Sequence, residues 1–165
     1  MWSCKLLLDT NIIIALIGRD KGVRQSLASF IHFMVKRKGC SVCYHEVSLR
    51  EIRVVRGPSV EARATTVLAE LGVSRCGPPE SSLRSMAGRY ARSVKRLGLN
   101  DVLIALAARE NTAILVTGDY SLASFYASIA RPVCRIGQRG HEKSVAVKPF
   151  IYIPLPALTG ECEWS

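Results

Sequence analysis

Short runs of apolar residues alternate along this chain with stretches whose apolar positions recur at helical spacing. Cys4 to Leu8 is an apolar run that stops at Asp9, and Ile12 to Ile17 resumes it until Gly18. The natural reading is strand, turn and helix. From Val23 to Val35, Leu27, Phe30, Ile31, Met34 and Val35 fall on one helical face. Lys36-Arg37-Lys38 and Gly39 then supply a basic last turn and a stop. Cys40 to Tyr44 reads as a second strand, and Val47, Leu49, Ile52 and Val55 predict a helix reaching toward Arg56-Gly57-Pro58. A further helix is expected from Ser59 to Leu71, then a short candidate strand from Val73 to Cys76, then a turn at Gly77-Pro78-Pro79.

Glu80 to Arg96 is expected to be helical, with Arg84, Arg89, Arg92, Lys95 and Arg96 giving it a positive face. Asp101 opens an almost wholly apolar helix through Ala108. Ala113 to Thr117 is a buried strand that Gly118-Asp119 ends. The alternation predicts an α/β fold with a mainly parallel sheet and helices on both faces, a class that gathers ligands at the carboxyl ends of its strands. Asp9 and Asp119 both follow apolar strands, which places them at that rim. From about residue 131 the rhythm changes: glycines and prolines surround Phe150 to Ile153, which reads as an added strand or hairpin arm. With 165 residues, no internal repeat and no linker, one domain is expected.

The charge narrows the choice of partner. Lys and Arg number 23 against 13 Asp and Glu, a formal +10, and that excess favours polyanions, nucleic acid first among them. Lys5 and Asp9 interrupt any signal-peptide core or membrane span at the start, so the default expectation is a cytoplasmic protein without a membrane partner. The six cysteines form a single C-x-x-C, Cys40 to Cys43, with no second pair at zinc-finger spacing. Most are therefore expected to be small core residues, with disulfides left open for a hyperthermophile source.

Three of the four aspartates, Asp9, Asp101 and Asp119, occupy strand ends or helix starts. Taken singly, each reads as a helix N-cap. Taken together, carboxylates meeting in one cleft call for a divalent cation, and oxygen donors without His or Cys suit Mg²⁺ or Mn²⁺ better than zinc. Such an ion lowers the pKa of a bound water and offsets phosphodiester charge.

Leu6-Leu7-Leu8-Asp9-Thr10-Asn11, Val47-Ser48-Leu49-Arg50-Glu51-Ile52, Asn100-Asp101-Val102-Leu103-Ile104-Ala105-Leu106-Ala107 and Val116-Thr117-Gly118-Asp119 together resemble the PIN-domain family, which includes the toxins of VapBC-type toxin–antitoxin pairs. The resemblance spans Leu6 to about Leu122. It implies a three-layer α/β/α fold, Mg²⁺ or Mn²⁺ held by Asp9, Glu51, Asp101 and Asp119, and endonucleolytic cleavage of RNA. Asn11 and Thr117 would orient carboxylates or water. It also implies a cognate antitoxin and a homodimer.

Glu46 is an alternative to Glu51 as the second acidic residue. The long tail after about Arg131 leaves room for a processing or quality-control nuclease instead of a toxin, and a non-catalytic RNA-binding protein on the same fold is a third possibility. A phosphatase of the haloacid-dehalogenase type expects D-x-D, whereas position 11 is Asn. Arg84, Arg89 and Arg92 are the candidate phosphate contacts.

Overall fold

A computed structural model describes residues 4–129. The expected strand from Phe150 to Ile153 and the tail from about 131 lie outside these residues. Four parallel strands, β1 (Lys5–Leu8), β2 (Ser41–Tyr44), β3 (Ser74–Arg75) and β4 (Ile114–Val116), form a sheet in the order β3-β2-β1-β4. β1 is central, paired Leu6 with Val42 on one side and Leu8 with Val116 on the other. Leu6, Leu7 and Leu8 are fully buried, as a strand covered on both faces requires.

The two faces follow from side-chain alternation. Leu6, Leu8, Val42 and Ile114 pack on α1 (Thr10–Ile17), α2 (Lys21–Lys36) and α4 (Pro58–Glu70). Leu7, Cys43 and Leu115 pack on α5 (Glu80–Ala87), α7 (Leu99–Glu110) and α8 (Tyr120–Ile129). The helix α3 (Glu46–Arg56) sits at the boundary, sending Ile52 into the first core and Val47 into the second. The result is the three-layer α/β/α arrangement expected from the alternation of elements. No helix among the described residues is long and apolar enough to cross a membrane.

Helix α7 owes its place to composition. Val102 through Ala108 are all buried, and the alanines at 105, 107 and 108 let it lie close against its neighbours. Its start is set by Gly98, whose φ of +98° is open to glycine and strained for other residues. Gly57, at φ +95°, ends α3 and begins α4 in the same way, with Pro58 in the first helical position.

One expectation needs correcting. Glu80 to Arg96 is not one helix: a 3₁₀ turn at Gly88–Tyr90 separates α5 from α6 (Ala91–Leu97). Tyr90 leaves helical geometry there, placing its ring edge-on to Phe125 at 5.7 Å. A tertiary contact thus overrides the local helical pattern.

The cysteines, expected mostly as small core residues with disulfides left open, form two disulfides among the described residues. Cys4 joins Cys40 with Cα atoms 4.6 Å apart, and Cys43 joins Cys76 at 5.7 Å. Parallel pairing places both, since the register that sets Lys5 beside Ser41 brings Cys4 to Cys40, and Cys76, two residues past Ser74, the register partner of Cys43, reaches Cys43 diagonally on the same face. Cys40 and Cys43 belong to opposite faces of the sheet, so they do not form a chelating pair.

Candidate active site

The carboxyl ends of β1 and of its neighbour β4 create the site. Asp9 follows β1, and its N–H donates to the carbonyl of Val116 at 2.9 Å, so the β1–β4 ladder continues one residue past the strand and presents the Asp9 carboxylate at the rim. Asp9 is buried, with 2 % of its surface exposed. Its Oδ1 accepts from the Thr10 N–H at 2.7 Å and its Oδ2 accepts from the Thr117 hydroxyl at 2.7 Å. These bonds favour the charged form, but burial outweighs them, and with the Glu51 and Asp119 charges it pushes the carboxyl up to about 6.

Asp101 stands in the first turn of α7. It is not the N-cap expected for an isolated aspartate there, because Gly98 occupies the cap. Its carboxyl has no hydrogen-bond partner among the described residues. Burial first, then the charges of Asp9, Asp119 and Glu51, push it up to about 7. Asp119 does cap α8, its Oδ1 accepting from the N–H groups of Ser121 (2.9 Å) and Leu122 (3.2 Å). The Thr117 hydroxyl accepts from the Asp119 N–H at 3.0 Å, so one threonine steadies both strand-end aspartates.

The two candidate glutamates separate. Glu51, in the middle of α3, accepts from the Thr10 hydroxyl at 2.7 Å, and its charge bears on both Asp9 and Asp101. Thr10 Oγ1 also lies 2.8 Å from the buried Ser48 hydroxyl. Because Thr10 has one proton to give, its bond to Glu51 leaves Ser48 as donor to Thr10. Glu46 faces elsewhere: it accepts from the Glu80 N–H at 2.8 Å and from the Arg75 guanidinium. Those contacts hold its carboxyl below the usual glutamate range. Asn11 is exposed in the first turn of α1 and makes no side-chain hydrogen bond among the described residues.

Motif matching did not anticipate what Arg50 does. Its guanidinium donates to Glu80 at 2.8 Å and to the Asn100 side chain at 2.7 Å, bridging the residue before Glu51 to the residue before Asp101. No sequence signal marks that bridge, because it joins positions 50 residues apart.

Four carboxylates therefore influence one another at this rim, and none of the four salt bridges among the described residues reaches any of them. Among the described residues no three of His, Cys, Asp or Glu already stand close enough to form a preassembled ligand cluster. The donor chemistry nonetheless fits a hard divalent cation: all donors are oxygen, and two carboxyls are raised by burial first and by one another's charges second, both of which a cation would offset.

Comparison with known proteins agrees with this architecture. A solved structure of VapBC2 from Rickettsia felis, bound to a DNA fragment from their promoter, superposes with a TM-score of 0.50 at 18% identity, over 73% of this chain and 92% of that one. FitAcB from Neisseria gonorrhoeae gives 0.48 at 19% identity, over 76% and 94%. No curated protein matches. The family pattern described as PIN domain matches residues 6–127, from the first strand into the last described helix, and the chain belongs to the PIN domain family.

Proposed function

We propose that this protein is a divalent-metal-dependent endoribonuclease and the toxin of a toxin–antitoxin pair. The observation that carries the reading is the group of carboxylates at the strand-end rim without a cationic partner among the described residues, in a chain of net charge +10. Asp9, Glu51, Asp101 and Asp119 would hold Mg²⁺ or Mn²⁺, which when bound supplies an activated water and neutralises charge on the phosphodiester. Thr117 fixes the Asp9 carboxylate through Oδ2, and Thr10 fixes Glu51 through Oε1, so both acids are oriented before substrate arrives. Asp101, with no hydrogen bond of its own, is the acid most able to hold or release a proton near neutral pH. Asn11, exposed beside Asp9, is placed to contact substrate or water.

The partner follows from the surface of α3. Val54 and Val55 are 76 % and 72 % exposed on the helix that carries Glu51, so a partner seated on them would also cover the carboxylates. A cognate antitoxin, a homodimeric toxin and a cytoplasmic place of action complete the reading.

The test is cleavage of a mixed RNA pool by wild type and Asp101→Asn, each with Mg²⁺, Mn²⁺ or EDTA. Metal-dependent cutting by wild type, abolished in the variant, is expected. Cutting that persists in EDTA, or that the variant retains in full, would reject the proposal.

A further inference from the structure

A second feature lies on the face formed by α5, the Gly88–Tyr90 turn and the far end of α7. A groove of about 550 Å³ there is lined by Ser82, Arg89, Tyr90, Arg109 and Glu110, among others. We infer that this groove is an RNA subsite, binding backbone phosphates of a strand whose scissile bond lies at the carboxylates. The inference rests on the nuclease reading and adds to it where the rest of the substrate goes.

Charge supplies the first argument. From Ser81 to Asn100 the chain carries Arg84, Arg89, Arg92, Lys95 and Arg96 and no acid. Arg84 is committed to Glu80, but the other four form no ion pair among the described residues and are exposed. Topology supplies the second. The helix α6 starts at the groove and ends at Gly98, and Asp101 follows in the first turn of α7. Its seven residues span about 10 Å. The basic run therefore has the groove at one end and the carboxylates at the other.

Preorganisation is the third argument. Arg109 donates to the Tyr90 hydroxyl at 2.7 Å, and the Tyr90 ring is itself wedged edge-on against Phe125. The guanidinium is thereby held at the groove rather than swinging in solvent, which lowers the ordering cost of each bond it makes to a phosphate. Glu110, the one acid in the lining, opposes an anion there, so its neutralisation should tighten binding.

The experiment measures binding apart from cleavage. Full-length Asp101→Asn in EDTA is titrated onto a fluorescent unstructured RNA of about twenty nucleotides, an ample span for single-strand recognition, at several salt concentrations. Adding Arg89→Gln with Arg109→Gln should weaken binding on the order of tenfold and reduce the logarithmic salt slope by about 1.4, the share of two phosphates on a single strand. A charge-matched control, Lys36→Gln with Arg37→Gln at the end of α2 on the other face of the sheet, should move both quantities far less. Glu110→Gln should tighten binding.

Equal losses in the two double variants would reduce the groove to a contribution of net charge and overturn the inference. So would unchanged affinity in the groove variant, as expected if the groove receives an acidic protein segment, or no RNA affinity in the parent. A protein that binds RNA through Arg89 and Arg109 but never cuts it would remove the nuclease reading alone.

Discussion

The same molecule treats its acids in two opposite ways. On the outer rim of α3, α4 and α5, Glu46 accepts from Arg75, Glu61 from Arg53, and Glu80 from Arg50 and Arg84. Glu46 is held below the ordinary glutamate range by the Glu80 N–H first and Arg75 second, and Glu80, against its burial, by Arg84 and Arg50. At the rim formed by the strand ends and the start of α7, Asp9 and Asp101 have one another, Glu51 and Asp119 for company and no cationic side chain among the described residues, and both are raised. A chain with ten surplus positive charges had arginines to spare for the site. Their placement on the rim instead separates carboxylates that hold helices together from carboxylates that no cationic side chain among the described residues engages.

The sharpest way to break that contrast is to neutralise an acid of the raised set. Asp101→Asn should cut metal-dependent cleavage by roughly a thousandfold, a few kcal/mol of lost transition-state stabilisation. In the metal-free protein at pH 8 the same substitution should raise Tm by roughly 2–5 °C, because it removes repulsion and breaks no hydrogen bond. A drop in both quantities would show that Asp101 is structural.

Acid should then separate the two sets by sign. For a carboxyl whose folded value lies above its unfolded one, the neutral form is favoured in the fold, so stability is fullest in acid and declines as pH rises through the folded value. Between pH 5 and 8 the metal-free protein should lose stability: the rise of Asp9 from 3.8 to about 6 is worth about 3 kcal/mol in strong acid, and roughly half of that is lost in this window. Millimolar Mn²⁺ should flatten or reverse the trend. Glu46 and Glu80 act in the other direction, their contribution falling away as pH drops below the ordinary 4.5. Chemical denaturation across pH, with and without metal, reads both; a metal-free curve rising from pH 5 to 8 would contradict the assignment.

Smaller effects belong to the rim. Glu80→Gln releases Arg50 and Arg84 and should cost about 1 kcal/mol, as partly exposed pairs do, with Mn²⁺ affinity nearly unchanged by calorimetry. A large loss of metal affinity would instead mean that the Arg50 bridge governs the spacing of Glu51 and Asp101. Arg53→Ala, which frees Glu61 on an open surface, should leave Tm unchanged within error.

Much of the site could be read from the chain because its chemistry is tied to local pattern. An aspartate directly after three leucines, and another after Ile114 to Val116, is a strand end whatever the rest of the fold does. The choice between Glu46 and Glu51 could not be settled that way, since both lie on α3. Arg75 and the Glu80 N–H, brought in from β3 and α5, engage Glu46 and leave Glu51 facing the aspartates. The disulfides escaped for a related reason: cysteine counts do not determine pairing, which depends here on parallel register between strands more than 30 residues apart. The break at Gly88–Tyr90 likewise needs Phe125, a partner on another helix.

The central position of β1 has a consequence for synthesis. Leu8 completes its ladder only with Val116, and Asp9 takes its orienting bond from Thr117, 108 residues downstream. During translation the first strand therefore waits for nearly the whole described domain to leave the ribosome, on the order of 5–20 s at typical elongation rates. Its carboxylate acquires its place only when β4 docks. A nascent or truncated chain lacking β4 carries Asp9, Glu51 and Asp101 but not the threonine that orients the first of them, so the four carboxylates come together only when the domain closes.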